Sequence, residues 1–477
     1  MRLALTVVLA LFPLSLAAQT TTGTVRGQIT DQNGAPLPRA EVRATNVATG
    51  VARTAVAQSN GAYVLPGLAP ATYALEVRRI GHGPQRRQVD VRIGATLTVD
   101  FALQAGAVEL TAITVEAGPA VEMRTSEVAT NVTQEQIEQL PSPSRNFLDL
   151  AALAPGVTIT EDRINSGSGF RTFSAGAQSA SNVNLFIDGA SLKNDLTGGG
   201  VAGQDASRGN PFPRNAIQEY RVVTQNFKAE YQKASSAIIT ATTRSGGNRW
   251  SGNAFAGYQD KGLLALDTFQ IRDKNANPAG FSKPDYSRYL AGLSVGGPLI
   301  RNRLFFFGSY EGNYQNRANA VNITPPTGFP ALDSVNLTQF NGTITSPFRE
   351  TLLFGKLTYS LGNNSSVEAS FNNRHETDVR DFGGQTAAQA ALNYRQDIAL
   401  GILKYSYFSG AWLNEASVTY QRFRRNPSPD NSDLPSREFQ NGTVTGCCSG
   451  IGRIGSFLSI QDFTQKRLGF RDDLTYT

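Results

Sequence analysis

Residues 213–231 read Pro213-Arg-Asn-Ala-Ile-Gln-Glu-Tyr-Arg-Val-Val-Thr-Gln-Asn-Phe-Lys-Ala-Glu-Tyr231, and residues 234–249 read Ala234-Ser-Ser-Ala-Ile-Ile-Thr-Ala-Thr-Thr-Arg-Ser-Gly-Gly-Asn-Arg249. From Trp250 onward the chain alternates apolar and polar residues, segment after segment, with polar loops between. Tyr289, Ala291, Leu293 and Val295 share one face against Arg288 and Ser294. Leu304, Phe306 and Tyr310 oppose Arg303, Ser309 and Glu311, and Leu353, Leu357, Tyr359 and Leu361 oppose Lys356, Thr358 and Ser360. Val367, Ala369 and Phe371 oppose Ser366, Glu368 and Arg374. Ile398, Leu400 and Ile402 continue the apolar series, as do Trp412, Ala416, Val418 and Tyr420. Leu468, Phe470, Leu474 and Tyr476 oppose Arg467, Arg471 and Asp473. A period of two with aromatics near segment ends is the pattern of transmembrane β-strands. About eight such strands are countable.

The chain opens Met1-Arg2, runs apolar from Leu3 to Leu16, and reaches small residues at Ala17 and Ala18. That is a secretory signal peptide over residues 1–18, too short for a spanning helix of about 20 residues. Its removal starts the mature chain near Gln19. No later run is apolar over a spanning length, which leaves the alternating strands as the membrane element. The formal charge of +6 is scattered, with no nucleic-acid footprint. The two cysteines, Cys447 and Cys448, are adjacent and support no disulfide framework. The two histidines, His82 and His375, have no metal-ligand spacing around them. No metal, cofactor or catalytic residue is expected.

Residues 22–105 form the first zone. Thr24–Thr30, Ala40–Ala44, Ala62–Leu65, Ala74–Val77, Val89–Ile93 and Thr96–Leu103 read as short strands punctuated by Asp31-Gln-Asn-Gly34 and Asn60-Gly61, which suggests a small β-sandwich. Gly27-Gln-Ile-Thr-Asp31, Pro36-Leu-Pro38, Asn60-Gly-Ala-Tyr63 and Gly67-Leu-Ala-Pro-Ala-Thr-Tyr73 resemble the carboxypeptidase regulatory-like domain. The resemblance implies a carbohydrate-binding-like sandwich and no peptidase activity.

Residues 120–249 form the second. Thr133-Gln-Glu-Gln-Ile-Glu-Gln-Leu140 reads as a short helix with Thr133 as N-cap and Gln136 completing a capping box. Arg145-Asn-Phe-Leu-Asp-Leu-Ala-Ala-Leu153 reads as a second, stopped by Pro155-Gly156, and Asn182-Val-Asn-Leu-Phe-Ile-Asp-Gly189 as a strand and turn. In that order, and ending in residues 213–249, these pieces resemble the plug domain of TonB-dependent outer-membrane receptors. Phe281-Ser-Lys-Pro-Asp-Tyr286 and Gly296 to Glu311 are similar to the first barrel hairpins of the Oar-like, OmpA-related subgroup.

The resemblance implies a mainly β chain: a sandwich, an α+β plug, then over residues 250–477 the first part of a transmembrane antiparallel β-barrel. A family barrel of about 22 strands, at about 9–11 residues each plus loops, needs roughly twice these residues. The chain therefore reads as truncated, its wall an open sheet. The function implied is TonB-dependent uptake of a scarce solute, whether siderophore, cobalamin, glycan or peptide. The alternative is a non-transporting surface binding protein or adhesin whose sandwich binds glycan. The implied location is the bacterial outer membrane, in contact with its lipid, with the N-terminal domain in the periplasm.

Site residues follow from the same resemblance. Residues 109–117 stand where the family carries its TonB box. There Glu109, Thr111, Ile113, Thr114, Val115 and Ala117 would meet the TonB energy-transducing complex as an added strand; a plain linker is the other reading. Two Gly- and Ser-rich loops interrupt the plug. Asn194, Asp205 and Arg208 are their candidate cargo contacts. Arg214, Glu219, Glu230 and Arg244, in the plug's final segment, are candidates for locking plug to barrel.

Overall fold

The computed structural model describes residues 21–106, 127–142, 144–162, 170–196, 200–204, 207–228, 231, 233–324, 336–409, 412–440, 450–456 and 460–476. The signal peptide, the segment 109–117, Asp205, Glu230 and the Cys447–Cys448 pair lie outside the described residues.

The turn-punctuated alternation of the first zone builds two facing sheets. Its strands are β1 (Gly23–Asp31), β2 (Glu41–Asn46), β3 (Ala52–Val56), β4 (Ala62–Leu68), β5 (Ala71–Arg78), β6 (Gln85–Val91), β7 (Thr96–Thr98) and β8 (Phe101–Leu103). One sheet runs β4-β1-β7, with β8 also on β1; the other runs β3-β2-β5-β6. Val25, Ile29, Val42, Leu65, Leu75, Val77 and Phe101 form the core between them. The single strand read over 96–103 is broken in two. At the break Val99 donates to the Arg26 carbonyl (2.7 Å) and accepts from the Tyr63 hydroxyl (2.7 Å), while Asp100 accepts from the Gln28 amide (2.7 Å). Gly27 permits this approach, since a Cβ there would lie 1.9 Å from the Val99 carbonyl oxygen.

The second zone contains β9 (Val128–Val132), helix α1 (Gln134–Gln139), β10 (Val157–Asp162), β11 (Phe170–Ala175), β12 (Asn184–Ile187), β13 (Ala190–Ser191), β14 (Ile217–Gln225) and β15 (Ile238–Thr243). The sheet order is β13-β12-β15-β14-β9, with β12 parallel to β15, and β10–β11 is a separate hairpin. The two runs quoted first are thus neighbouring antiparallel strands, and every residue of β15 is buried. Both halves of the Thr133/Gln136 capping box are present. The second predicted helix is a 3-10 segment over Phe147–Leu153. Asn146 caps it, accepting from the Leu148 amide at 3.0 Å.

The third zone is one antiparallel sheet. Its strands are β16 (Ser251–Asp260), β17 (Tyr286–Ile300), β18 (Leu304–Val321), β19 (Gly342–Ser360), β20 (Ser365–Arg380), β21 (Leu392–Ser409), β22 (Trp412–Pro429) and β25 (Phe463–Tyr476), paired in chain order. A short helix, α2 (Thr268–Ala276), and a hairpin of β23 (Arg437–Gln440) and β24 (Gly450–Ile454) sit in its long connections. The sheet is unclosed: β16 and β25 are its edges, and neither pairs with a further strand among the described residues. Connections at one end are short (301–303, 361–364) and at the other long (261–285, 381–391), the asymmetry of an outer-membrane wall. Tilted ring pairs Trp412–Tyr476 and Tyr258–Tyr289 (both 4.8 Å between centroids) mark the two ends.

Leu353, Leu357, Leu403, Tyr405, Val418, Leu468 and Phe470 are exposed on the outer face. Ile398, Leu400 and Ile402 do not share it. They are buried on the inner face, packed with Phe307, Phe354 and Phe423 into the core of the second zone. Strand β21 is apolar on both faces because lipid lies on one side and a protein core on the other.

Because the sandwich core contains only sandwich residues, residues 21–106 should fold alone. Leu75→Ala, at a position with no exposed surface, should cost that unit about 2–5 kcal/mol, read as a shift in its urea unfolding midpoint.

Candidate functional site: the seam inside the wall

Alternation in β19 and β20 turns Phe348, Glu350, Leu352, Phe354 and Lys356 inward, together with Asn372, Arg374, Glu376, Asp378 and Arg380. Register sets Glu350 opposite Glu376 and Leu352 opposite Arg374. Arg374 has no exposed surface. Its Nε donates to Glu350 Oε1 (3.2 Å) and to the Asn210 carbonyl (2.8 Å). Its Nη2 donates to the Glu376 carboxylate and to Ser207 Oγ (2.8 Å). The plug-like loop completes the set, with the Ser207 hydroxyl donating to Glu376 Oε2 (2.5 Å) and the Asn210 amide to Glu350 Oε1 (2.7 Å). Between them Gly209 lies so close that a Cβ would meet Glu350 Oε1 at 2.1 Å. Arg208 pairs with Asp378 (3.3 Å), which also holds Arg380 (3.3 Å). Ser207 to Asn210 are keyed into this charged stripe.

Two further ties flank it. Arg145, at φ 59, pairs with Glu311 (3.6 Å), donates to Asn215 Oδ1 (2.9 Å) and lies 3.4 Å above the Phe255 ring centroid. The Asn215 amide donates to the same Glu311 (2.8 Å). Nearer the short-turn end, Lys356 pairs with Asp188 (3.5 Å) and Glu368 (2.9 Å). Asp188 also accepts from the amide and hydroxyl of Thr243 (2.9 and 2.5 Å). Apolar contact runs between the ties, with Phe212 5.3 Å from Phe354.

The sandwich docks at the short-turn end. Asn248 donates to the carbonyls of Ala48 (2.8 Å) and Thr49 (2.6 Å) and accepts from the Asn302 amide (2.7 Å). Sandwich, plug-like domain and wall together enclose a cavity of about 250 Å³ bordered by Arg53, Tyr73, Asp188, Lys356, Glu368 and Lys404.

The residues singled out from sequence fall in different places. Arg208 is on the seam, its side chain 4% exposed. Asn194 is buried in its own loop, its amide on the Gly200 carbonyl (3.0 Å) and its Oδ1 on the Leu196 amide (2.8 Å). Arg214 closes the C-terminal end of α1, donating to the carbonyls of Ile137 and Leu140. Arg244 pairs with Glu138 of α1 (3.3 Å) and lies 5.4 Å from the Phe307 ring of the wall. Glu219 joins the sandwich to the plug-like sheet, accepting from the Ile93 amide (2.8 Å) and from Asn131 Nδ2 (3.0 Å). Burial raises the Glu219 pKa, and the Ile93 N–H, Arg92, Asn131 and Arg221 offset that only in part. Sequence reasoning missed Ser207, Glu350, Glu376 and Asp378. The available signal was Arg374-x-Glu376-x-Asp378-x-Arg380, four charges on one face of one strand.

Among the described residues no group of three or more His, Cys, Asp or Glu is placed to hold a metal. No described helix is long and apolar enough to cross a membrane.

Comparison with known proteins fits this architecture. The profile of the carboxypeptidase regulatory-like domain matches residues 24–104, that of the TonB-dependent receptor plug domain residues 121–238, and that of an outer membrane beta barrel domain residues 242–352. The TonB-dependent transporter Oar of Myxococcus xanthus is 26% identical over 382 residues, covering 75% of this chain and 34% of that protein. The outer membrane transporter YddB from Escherichia coli superposes with a TM-score of 0.55 at 14% identity, over 73% of this chain and 45% of its own. The chain thus spans about a third of the curated relative it matches.

Two outcomes follow from the seam and the docking contact. Arg374→Ala leaves Glu350 and Glu376 buried without their cation, a loss of about 3–5 kcal/mol. The full-length protein carrying it should conduct in planar bilayers where the parent is sealed; equal sealing would count against the seam as the hold on the plug. For Glu219, a carboxyl whose pKa is raised on docking stabilises that contact below the free value of about 4.3, and the contribution is lost as pH rises through the raised pKa. Glu219→Gln should therefore flatten the fall in thermal midpoint as pH rises above the free carboxyl value.

Proposed function

We propose that this chain, with its succession of regulatory-like, plug and barrel domains, is part of a TonB-dependent receptor of the bacterial outer membrane, and that the whole protein takes up a scarce solute across that membrane, driven through TonB. The observation that carries the proposal is the seam. Ser207 to Asn210 are held on Glu350, Arg374, Glu376 and Asp378 by ionic and hydrogen bonds. A seal of that kind closes the lumen, yet its polar groups can pass to water when the plug is displaced, which an all-apolar seal could not do at equal cost.

Displacement needs a handle. The extended-favouring residues 109–117 lie between the sandwich and β9, the edge strand of the plug sheet. In the proposed mechanism Ile113 and Val115 face one way on a TonB strand partner, and Thr114 and Glu116 the other. Main-chain bonds carry the affinity. Glu109, Thr111 and Ala117 flank that pairing. Force drawn from the proton-motive gradient by the TonB complex then reaches the plug through β9. Residues 1–18 serve as the secretory leader. Passage makes and breaks no covalent bond, so the proposal assigns no catalytic residue and no cofactor.

The test is capture of the full-length receptor on the immobilised periplasmic domain of TonB. The double variant Ile113→Pro, Val115→Pro should lose at least tenfold in apparent affinity, since each proline removes a ladder donor. Unchanged capture would overturn the assignment of this segment.

A further inference from the structure

At the short-turn end, two large apolar residues of the wall face inward. Phe408 of β21 and Leu413 of β22 stand opposite each other in register, and both are buried. An open mouth would put them in water, which is unfavourable for apolar surface. The sandwich covers them. Its Gly67 lies so close that a Cβ there would meet Leu413 Cδ2 at 2.6 Å, and its Arg53 lies 5.8 Å from the Phe408 ring centroid. Glu368 of β20 and Glu415 of β22 attract Arg53 through space. Lys404 of β21 donates to Thr21 Oγ1 (3.2 Å), just ahead of β1. On the other flank, a Cβ at Gly50 would meet Asn302 Oδ1, in the turn between β17 and β18, at 2.6 Å. The sandwich thus reaches from the β17–β18 turn to the β21–β22 hairpin.

The sandwich is tied to the plug as well. The Ile93 amide donates to Glu219, and the Ile93 carbonyl accepts from Asn131 Nδ2 (3.2 Å) and Arg221 Nη1 (3.4 Å). The chamber of about 250 Å³ lies between sandwich, plug and wall, so a solute that passed the plug would still meet the sandwich. We propose that the sandwich is a second gate at the inner mouth of the barrel: docked, it closes the outlet of this chamber, and passage requires it to leave the wall at Asn302 and Leu413. The inference rests on the receptor reading given above. The contacts to be broken suit a gate. They are mostly hydrogen bonds to neutral groups and two apolar contacts, each individually modest, and Lys404 keeps Glu415 (2.7 Å) when Thr21 departs. Residues 109–117 lie in the connection from sandwich to β9, so a pull on them loads both sides of the Ile93 contact together.

The test locks the sandwich in place and reads ion flow. A Cβ at Gly247, next to the Gly246 that packs on the backbone of Gly297 and Phe306, would lie 3.6 Å from the Ala48 Cβ, within the span of a disulfide. Full-length receptor carrying Arg374→Ala, Ala48→Cys and Gly247→Cys, with Cys447→Ser and Cys448→Ser, is inserted into planar bilayers in potassium chloride. Loosening the plug loosens the sandwich with it through Ile93, so the reduced protein should conduct. Oxidation should cut that conductance to the level of the sealed parent, and reductant should restore it; the one protein is its own folding control. Equal conductance in both states, in protein shown by mass to hold the bridge, would overturn the proposal. So would a redox effect as large with Ala48→Cys alone. A Cβ at Gly247 also comes within 2.9 Å of the Ala48 carbonyl oxygen, so a second variant avoids the bridge. Asn248→Asp sets a carboxylate against the Thr49 carbonyl and should raise the conductance of Arg374→Ala severalfold, or open it where Arg374→Ala alone stays sealed. Conductance unchanged by Asn248→Asp counts against the gate, because the plug alone then accounts for the seal. Ion flow needs neither TonB nor cargo, so a failure here leaves the result of TonB capture standing, and the reverse holds too.

Discussion

A guanidinium with no exposed surface constrains everything around it. Arg374 sits inside the wall where it must be charged, and the isolated charge would be prohibitive. Glu350 and Glu376 neutralise it from the same two strands, but two carboxylates side by side leave oxygens that need donors. Ser207 and the Asn210 amide supply them. That demand fixes the path of the plug loop. It excludes a side chain at position 209, sets Arg208 on Asp378 and delivers Phe212 to Phe354. The charge network thus positions the plug, while the apolar contacts beside it add stability without specifying place.

The strands were legible because each zone repeats a simple period. Turn punctuation gave most of the sandwich, though β3 was missed and the last predicted strand breaks where Val99 must turn to meet Tyr63 and Arg26. In the wall, alternation located β17 to β22 and β25 and oriented most of them, while β16 was not assigned. It failed on β21, where Ile398, Leu400 and Ile402 face a protein core and Leu403 and Tyr405 face outward. A binary pattern separates apolar from polar surroundings; it does not separate lipid from a buried plug.

The site was much less legible. The bonds that seat the plug join residues 140 and 169 positions apart, and nothing local marks Ser207 or Glu350 as partners. Proximity in sequence also misleads. Glu219 stands close to the start of the wall in the chain. Yet β14 lies between β15 and β9 in the plug sheet, and the glutamate reaches the sandwich turn at Ile93. Arg214 and Arg244 are drawn back to α1 for a similar reason. A helix of six residues leaves its terminal carbonyls and Glu138 close to the final plug segment, and local partners are met before distant ones.

The distribution of charge along the seam bears on how such a plug could be both secure and removable. Arg374 and Lys356 each have two carboxylates within ion-pair distance, so neither can leave its place without stranding an acid. Both belong to the wall. The plug contributes mainly hydroxyl, amide and carbonyl groups, with Arg145, Asp188, Asp195 and Arg208 as its ionic contacts among the described residues. When the plug moves, Arg374 keeps Glu350 and Glu376, Lys356 keeps Glu368 and Asp378 keeps Arg380, while Glu311 gives up the ion pair it makes with Arg145 of the plug. Breaking the interface then costs a set of individually modest hydrogen bonds and, at Glu311, one buried ion pair. A wall that is electrostatically nearly self-sufficient can hold a plug firmly and still survive its displacement.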